Sequence, residues 1–406
     1  MLTFNNKILI YLIFFCSLIA SFILGENSSG GAKLDHLLTK KYIESFQLDL
    51  NVGIQLFKID NQGHLPFFYI LVANLNSLLG EKIVSYIYIF ISSCIPLVFY
   101  NVLRKKFSKE SYDRLFFLSL VIFLSPYFRS SAAWLTTDNL ALLFFLLSIN
   151  SFLNVEYFQR DYLKNSFLCF FFLIMACYVR QNYALFFIFY FISIQPKLKL
   201  TDNIYILAFS FLLSIPALIW VFLIFKFEGV QTGYYWTSDY VLNILVLSSL
   251  FFFYFLPFIS NKYGFKHLNN ELIKKKFLFL MITLITFLLL ILYNIPELSY
   301  GGGIFYKIGK LTNLNLIIFF SFLGLVFLFI SNDLIKKNYL IYLILLFSYP
   351  FIHVYQKYYD PLIFIIILSL INSKFIKDLI ENNKINIFFI FVYFISFLIG
   401  SNLYYI

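Results

Sequence analysis

The sequence predicts an all-α polytopic membrane protein, a single integral-membrane domain over residues 1–406 with about thirteen spanning helices and a long first outer loop at 26–82. Three observations predict it. The chain is 61% hydrophobic and only 13% charged, with mean hydropathy +0.84, more apolar surface than a soluble core can use. Apolar runs near the length of a membrane crossing recur from end to end. The net charge of +11 sorts to one side of those runs, as the positive-inside rule requires, and so argues against nucleic acid as its partner.

The first run, 8–25, follows MLTFNNK and looks like a signal peptide, but ILGENSS has no A-x-A cleavage site, so it reads as an uncleaved first span. Further runs lie at about 83–103, 115–128, 138–153, 166–179, 182–195, 204–225, 241–259, 278–294, 316–331, 339–354, 361–372 and 387–404. Several are shorter than the ~20 residues that cross the hydrocarbon, which fits helices ending early inside a bundle. The run 66–80 is decided by parity. As a surface or re-entrant helix it leaves 20 Lys+Arg against 9 Asp+Glu on the side of Lys7, and 11 against 11 on the other. As a span it would turn every downstream lysine cluster outward. The N-terminus is therefore placed inside and the C-terminus outside.

The outer loop 26–82 opens with a flexible ENSSGG stretch. A helix follows over LDHLLTKKYIESF, where Leu34, Leu37, Leu38, Tyr42 and Phe46 recur at helical spacing. Asn61-Gln62-Gly63 makes a turn before Pro66. The four cysteines lie in apolar runs without metal or C-x-x-C spacing and read as small core residues.

Within FLCFFFLIMACYVRQNYALFFIFYFISI, residues 167–194, Arg180 would sit at mid-membrane if one helix ran through. A charge there costs at least ~2.5–3.5 kcal/mol. Length and charge sidedness instead predict a turn at Val179–Asn182, with Arg180, Gln181 and Asn182 at the outer surface. Arginine usage supports this: of 26 Lys and five Arg, Arg129 and Arg180 are the two arginines at outer ends of short helices. Arginine bonds phosphate oxygens in pairs, so these two suggest a phosphate site at headgroup depth. Asp35, His36 and His64 fall in the first outer loop, Asp138 begins the helix after WLTT, and His353, Gln356, Lys357 and Tyr358 fall in a late outer loop. Taken singly, each has a plain reading: Asp138 as a helix cap, Asp35 as a solvated carboxylate, the arginines as lipid anchors.

Together, Asp35 in GGAKLDHLL, Pro66 and Tyr69 in HLPFFYIL, and Thr137-Asp138 in WLTTDNLALLF resemble GT-C glycosyltransferases, polytopic enzymes that use polyprenyl-phosphate sugars. VRQNYALF is similar to the R-Q-T-N stretch of the oligosaccharide-lipid α-1,2-glucosyltransferases. Tyr358, Tyr359 and Pro361 in QKYYDPLIFI resemble the R-Y-x-x-P of the family-39 and lipopolysaccharide-core (Rgt-type) members, with Lys357 where arginine is usual. The likeness covers residues 8–195 and, more loosely, 350–372.

The resemblance implies transfer of a sugar from a polyprenyl-phosphate donor to a lipid, glycan or protein acceptor at the outer face. Asp35 would be the base and Asp138 its catalytic companion. Arg180, Arg129 and Lys357 would bind the donor phosphate; His36, His64, Tyr69, Gln181, Asn182, His353, Gln356 and Tyr358 would line the substrates. No cofactor is implied, and no histidine spacing supports a metal. The membrane is read as a bacterial inner membrane with the site facing the periplasm, from the lean length and the lack of a retention signal, or the ER membrane in a eukaryote. A polyprenyl-linked oligosaccharide flippase or an O-antigen polymerase or ligase is the alternative. A flippase predicts charges deep in the bundle and internal repeats; a polymerase or ligase predicts its large loop late in the chain.

Overall fold

The computed structural model describes residues 3–60, 64–158, 161–224, 239–260, 262–298, 301–331, 336–349 and 354–405; among them the regular structure is helical, with no strand. His353, Arg160, the expected turn at 61–63, and residues 225–238 and 299–300 lie outside the described residues. Seven described helices are long and apolar enough to cross a membrane, or up to nine if two bent pairs each count as one span. These helices are compatible with an integral membrane protein.

It divides into two compact units. The first comprises Met1–Lys106, Leu115–Thr232 and Phe394–Ile406, the second Phe107–Arg114 and Gly233–Tyr393. The first unit begins with α1 (Phe4–Ile23), α2 (Ala32–Leu48), α3 (Leu50–Ile59) and α4 (Phe67–Leu79). It continues with α5 (Glu81–Lys106), α6 (Tyr112–Leu120), α7 (Pro126–Ala133), α8 (Thr137–Tyr157), α9 (Tyr162–Val179), α10 (Phe186–Ile194) and α11 (Leu200–Ile219). In α5, Glu81 in the first turn and Arg104, Lys105 and Lys106 in the last complement the helix dipole.

Hydropathy alone smooths over two breaks. The run 115–128 bends by 63° where Pro126 opens α7, and Ser125 Oγ accepts from the Phe128 amide at 3.0 Å as its cap. The second break falls at Arg180: α9 ends at Val179, Arg180 is extended at φ −144°, and a 3-10 turn at Gln181–Tyr183 leads into α10. Phe170 of α9 and Phe187 of α10 have ring centroids 4.9 Å apart. A continuous helix would separate these residues by about 25 Å, so the chain doubles back here.

The segment expected to be flexible after α1 is instead pinned to α7. Ser28 is fully buried and its hydroxyl donates to the Pro126 carbonyl at 2.9 Å; Ser29 N donates to Ser130 Oγ at 3.0 Å. Short polar side chains let this backbone lie against another helix with its hydrogen bonds made. On α2 the inward face differs from the one the leucine spacing suggested. Tyr42 and Phe46 are buried, with Thr39 and Ile43, whereas Leu34, Leu37 and Leu38 are exposed. Cys169 is buried but Cys16 is exposed on α1, so it is not a core residue.

In the second unit, α12 (Tyr240–Ile259) is the buried centre, capped by Asp239, whose Oδ1 accepts from the Leu242 amide at 3.0 Å. Around it lie α13 (Lys262–Lys274), α14 (Lys276–Leu292), α15 (Gly303–Thr312), α16 (Leu316–Val326), α17 (Lys336–Ser348), α18 (Leu362–Ser369) and α19 (Lys374–Glu381). The last helix, α20 (Ile387–Tyr405), runs from the second unit into the first. At Gly324, α16 packs backbone to backbone on α12, and an added methyl would overlap the Ser248 carbonyl. Gly324→Ala is expected to destabilise this unit by about 1–3 kcal/mol, or more if the helices cannot part. Thermal unfolding in detergent reads it, and an unchanged midpoint would refute the close contact.

Candidate functional site

The site grows from the break at Arg180. Because α9 stops there, the arginine turns back to the start of α8. Its Nε donates to Thr137 Oγ1 at 2.9 Å, and its Nη2 pairs with Asp138 Oδ1 at 3.0 Å. The arginine is 9% exposed, and the Asp138 side chain 26%. Asp138 is not the cap residue of α8. Thr136 holds that position, and its hydroxyl donates to Asp138 Oδ2 at 3.0 Å. Asp138 thus stands in the first turn, where the helix dipole favours its charge. One residue on, Asn139 is buried, and its side-chain amide donates to the Phe128 carbonyl (3.0 Å) and Ser92 Oγ (3.1 Å), tying α8 to α7 and α5.

The α7–α8 connection is strained. Leu135 lies in the left-handed region at φ 48°, a conformation that costs a branched residue about 1–3 kcal/mol. Its kink presents the preceding Trp134 carbonyl to His36 Nδ1 at 2.7 Å. A carbonyl only accepts, so Nδ1 carries the proton. Burial lowers the His36 pKa and outweighs the raising effect of that bond, which keeps the ring neutral with Nε2 as its acceptor edge.

Tyr69 links α2 and α4 to this pair. It is 4% exposed, with its ring against Tyr42 (centroids 5.6 Å) and Phe57 (5.1 Å). Burial raises its pKa most; Arg180 opposes that rise, and Tyr42, Asp35 and Asp138 add to it. The Tyr69 hydroxyl therefore lies within electrostatic range of Asp35, Asp138 and Arg180 together. Asp35 itself sits in the first turn of α2. His64, just before α4, places Nδ1 3.5 Å from Gln181 Oε1, at the long limit of a hydrogen bond. Phe67 and Tyr178 meet at 5.8 Å, so the start of α4 packs at the Arg180 break. Asn182 follows in the 3-10 turn. The arrangement offers a fixed cation beside the Asp138 carboxylate where α8, α9 and the start of α4 meet.

Arg129 has a different setting. Its Nε and Nη2 donate to the Glu26 carboxylate at 2.8–3.0 Å, and Nη1 and Nη2 donate to Ser17 Oγ and O at 3.1 Å. This buried fork clamps α7 to the end of α1. Sequence reading singled out Arg129 and overlooked Glu26, whose polar ENSSGG setting resembles a linker. Thr137 and Asn139 were likewise missed as site residues; the T-T-D-N stretch was their signal.

Lys357, Gln356 and Tyr358 belong to the second unit. The 3-10 turn Gln356–Tyr358 buries Gln356, and Tyr358 stacks on Tyr349 at 4.9 Å. Lys357 Nζ lies 5.2 Å from the centre of the Tyr355 ring and 5.7 Å from that of Tyr358. Val354 O accepts from Gly302 N at 2.8 Å, and Gly301 at φ 88° leaves no room there for a side chain. Among the described residues no cluster of His, Cys, Asp and Glu could hold a metal ion.

Among the described residues the chain is all-helical, with helices apolar enough to span a membrane and a buried arginine paired with a part-exposed aspartate where the chain turns between α9 and α10. No family model, curated protein or solved structure matches the chain.

Proposed function

We propose that the chain is a membrane glycosyltransferase that takes a sugar from a polyprenyl-phosphate donor and passes it to a lipid, glycan or protein acceptor. The observation that carries this reading is the Arg180–Asp138 pair, 3.0 Å apart where α9 stops at the start of α8, with Tyr69 in electrostatic range of this pair and of Asp35. Transfer needs a carboxylate for the acceptor proton and a cation for the leaving phosphate, and this assembly supplies both. Asp35 takes the proton as the acceptor oxygen bonds the anomeric carbon. The bond from that carbon to the phosphate oxygen breaks, and its electron pair leaves with the polyprenyl phosphate. Arg180, aligned by Thr137 and Asp138, binds that phosphate, and Tyr69, His64, Gln181 and Asn182 border the same place. Arg129 holds the scaffold rather than the donor, because its Nε, Nη1 and Nη2 are all bonded to Glu26 and Ser17, tying α7 to α1.

The topology we assign has thirteen crossings with the N-terminus inside and 26–82 outside, supported by the lysine distribution. In that frame the exposed Leu34, Leu37 and Leu38 of α2 face lipid at the outer surface. The outer side is the periplasm of a bacterial inner membrane, or the ER lumen in a eukaryote.

The test is transfer from synthetic polyprenyl-phosphate sugars to membrane lipids by the purified protein. Asp35→Asn keeps the size of the side chain and removes the base, and it is expected to lower turnover by about 10²–10⁴-fold with little change in donor affinity. A rate equal to wild type would remove Asp35 from the chemistry.

A further inference from the structure

Beside the arginine site, α2 presents a second face. His36, Lys40, Glu44 and Gln47 follow one another along it at helical spacing, turned about 100° per residue from the face of Asp35, Thr39 and Tyr42. Across from it stand Asn76 of α4 and Glu81 and Ser85 of α5, and between them lies a cavity of about 100 Å³. Buried Ile43, Val72 and Leu135 make its apolar floor. The rim is polar: Lys40 Nζ bonds both oxygens of Glu81 at 2.7 and 3.0 Å, and Glu44 stands one turn along α2. Asn76 Oδ1 is buried in this wall and accepts no hydrogen bond from the protein.

We infer that this cavity binds one neutral polyhydroxylated ring, such as a single pyranose unit of a glycan. A pyranose has an apolar C–H face for Ile43, Val72 and Leu135 and a hydroxyl edge for the rim. The volume admits several waters or one ring, so only a single unit of a longer glycan would sit inside it. A buried acceptor left unbonded costs about 1–3 kcal/mol, so Asn76 Oδ1 calls for a donor, which a hydroxyl provides. Two carboxylates against one lysine repel phosphate and other anions, which separates this cavity from the Arg180 site. The carboxylates accept from hydroxyls, Lys40 donates, and neutral His36 adds an acceptor edge. The ring's role as part of the acceptor rests on the transferase reading; its binding does not.

Saturation-transfer NMR on the intact protein in detergent, with a panel of neutral methyl pyranosides and with inorganic phosphate as competitor, tests this. At least one pyranoside is expected to bind wild type, unaffected by phosphate. Asn76→Leu and Glu44→Ala are each expected to weaken it about fivefold. Glu44 is exposed, so its variant tests the site even where Asn76→Leu disturbs folding. Arg180→Ala is expected to bind the pyranoside as wild type does. The inference is overturned if no pyranoside binds, if phosphate displaces it, if Glu44→Ala binds as tightly as wild type, or if Arg180→Ala loses binding. Binding without any sugar transfer would instead refute the transferase reading and leave the pocket standing.

Discussion

Arg180→Ala is expected to reduce sugar transfer by roughly 10²–10³-fold, the usual effect of deleting one fixed group that stabilises developing charge. The loss falls on donor use more than on folding. Asp138 is left without its ion pair, but it is a quarter exposed and keeps the Thr136 hydroxyl at 3.0 Å and the start of α8. A long, short-chain and deoxygenated donor series separates the effects: the deficit should follow the phosphate and be indifferent to the prenyl length. Arg180→Lys keeps the charge but loses the fork that reaches Thr137 and Asp138 at once. It is expected to regain only part of the rate. A lysine variant as active as wild type would mean that charge alone matters, and that the alignment by α8 does not.

Glu26→Gln carries the largest expected effect on stability. It leaves Arg129, 8% exposed, without a counter-charge, at about 3–5 kcal/mol. Unfolding of the purified protein in detergent reads this directly. The pair Glu26→Gln with Arg129→Met should recover part of it, since removing both charges removes the uncompensated one. Burial acts to raise the Glu26 pKa, but the hydrogen bonds and charge of Arg129 outweigh it, so the folded value lies below the ordinary 4.5. A depressed acid pKa gives stability that is present above the unfolded value and lost as pH falls through the folded one. Wild type should therefore lose stability in acid below about pH 4.5, and Glu26→Gln should lose less over that window. Equal acid sensitivity in the two would place the titration elsewhere.

The parts of this architecture that were legible in the sequence are those governed by local cost. An arginine inside nearly thirty apolar residues demands a break, and the break falls at Val179–Arg180. The Thr-Thr-Asp stretch demands a helix start, and α8 begins there, though with Thr136 as cap. The helix expected after Pro66 is α4. What was not legible depends on partners far along the chain. Glu26 and Arg129 are 103 residues apart, and nothing near Glu26 signals a buried ion pair. The leucines of α2 have helical spacing, but spacing cannot tell a buried face from an exposed one, and Tyr42, Ile43 and Phe46 took the core. Hydropathy likewise sees a span where Pro126 bends the chain.

Transfer and transport are separated by following a doubly labelled polyprenyl-phosphate sugar in proteoliposomes containing the purified protein, with acceptor lipids present. The sugar label is expected to move to a new product while the prenyl label is released as polyprenyl phosphate, both in one-to-one amounts and both lost in Asp35→Asn. Donor reaching the opposite leaflet with its sugar–phosphate bond intact, and no polyprenyl phosphate formed, would contradict it.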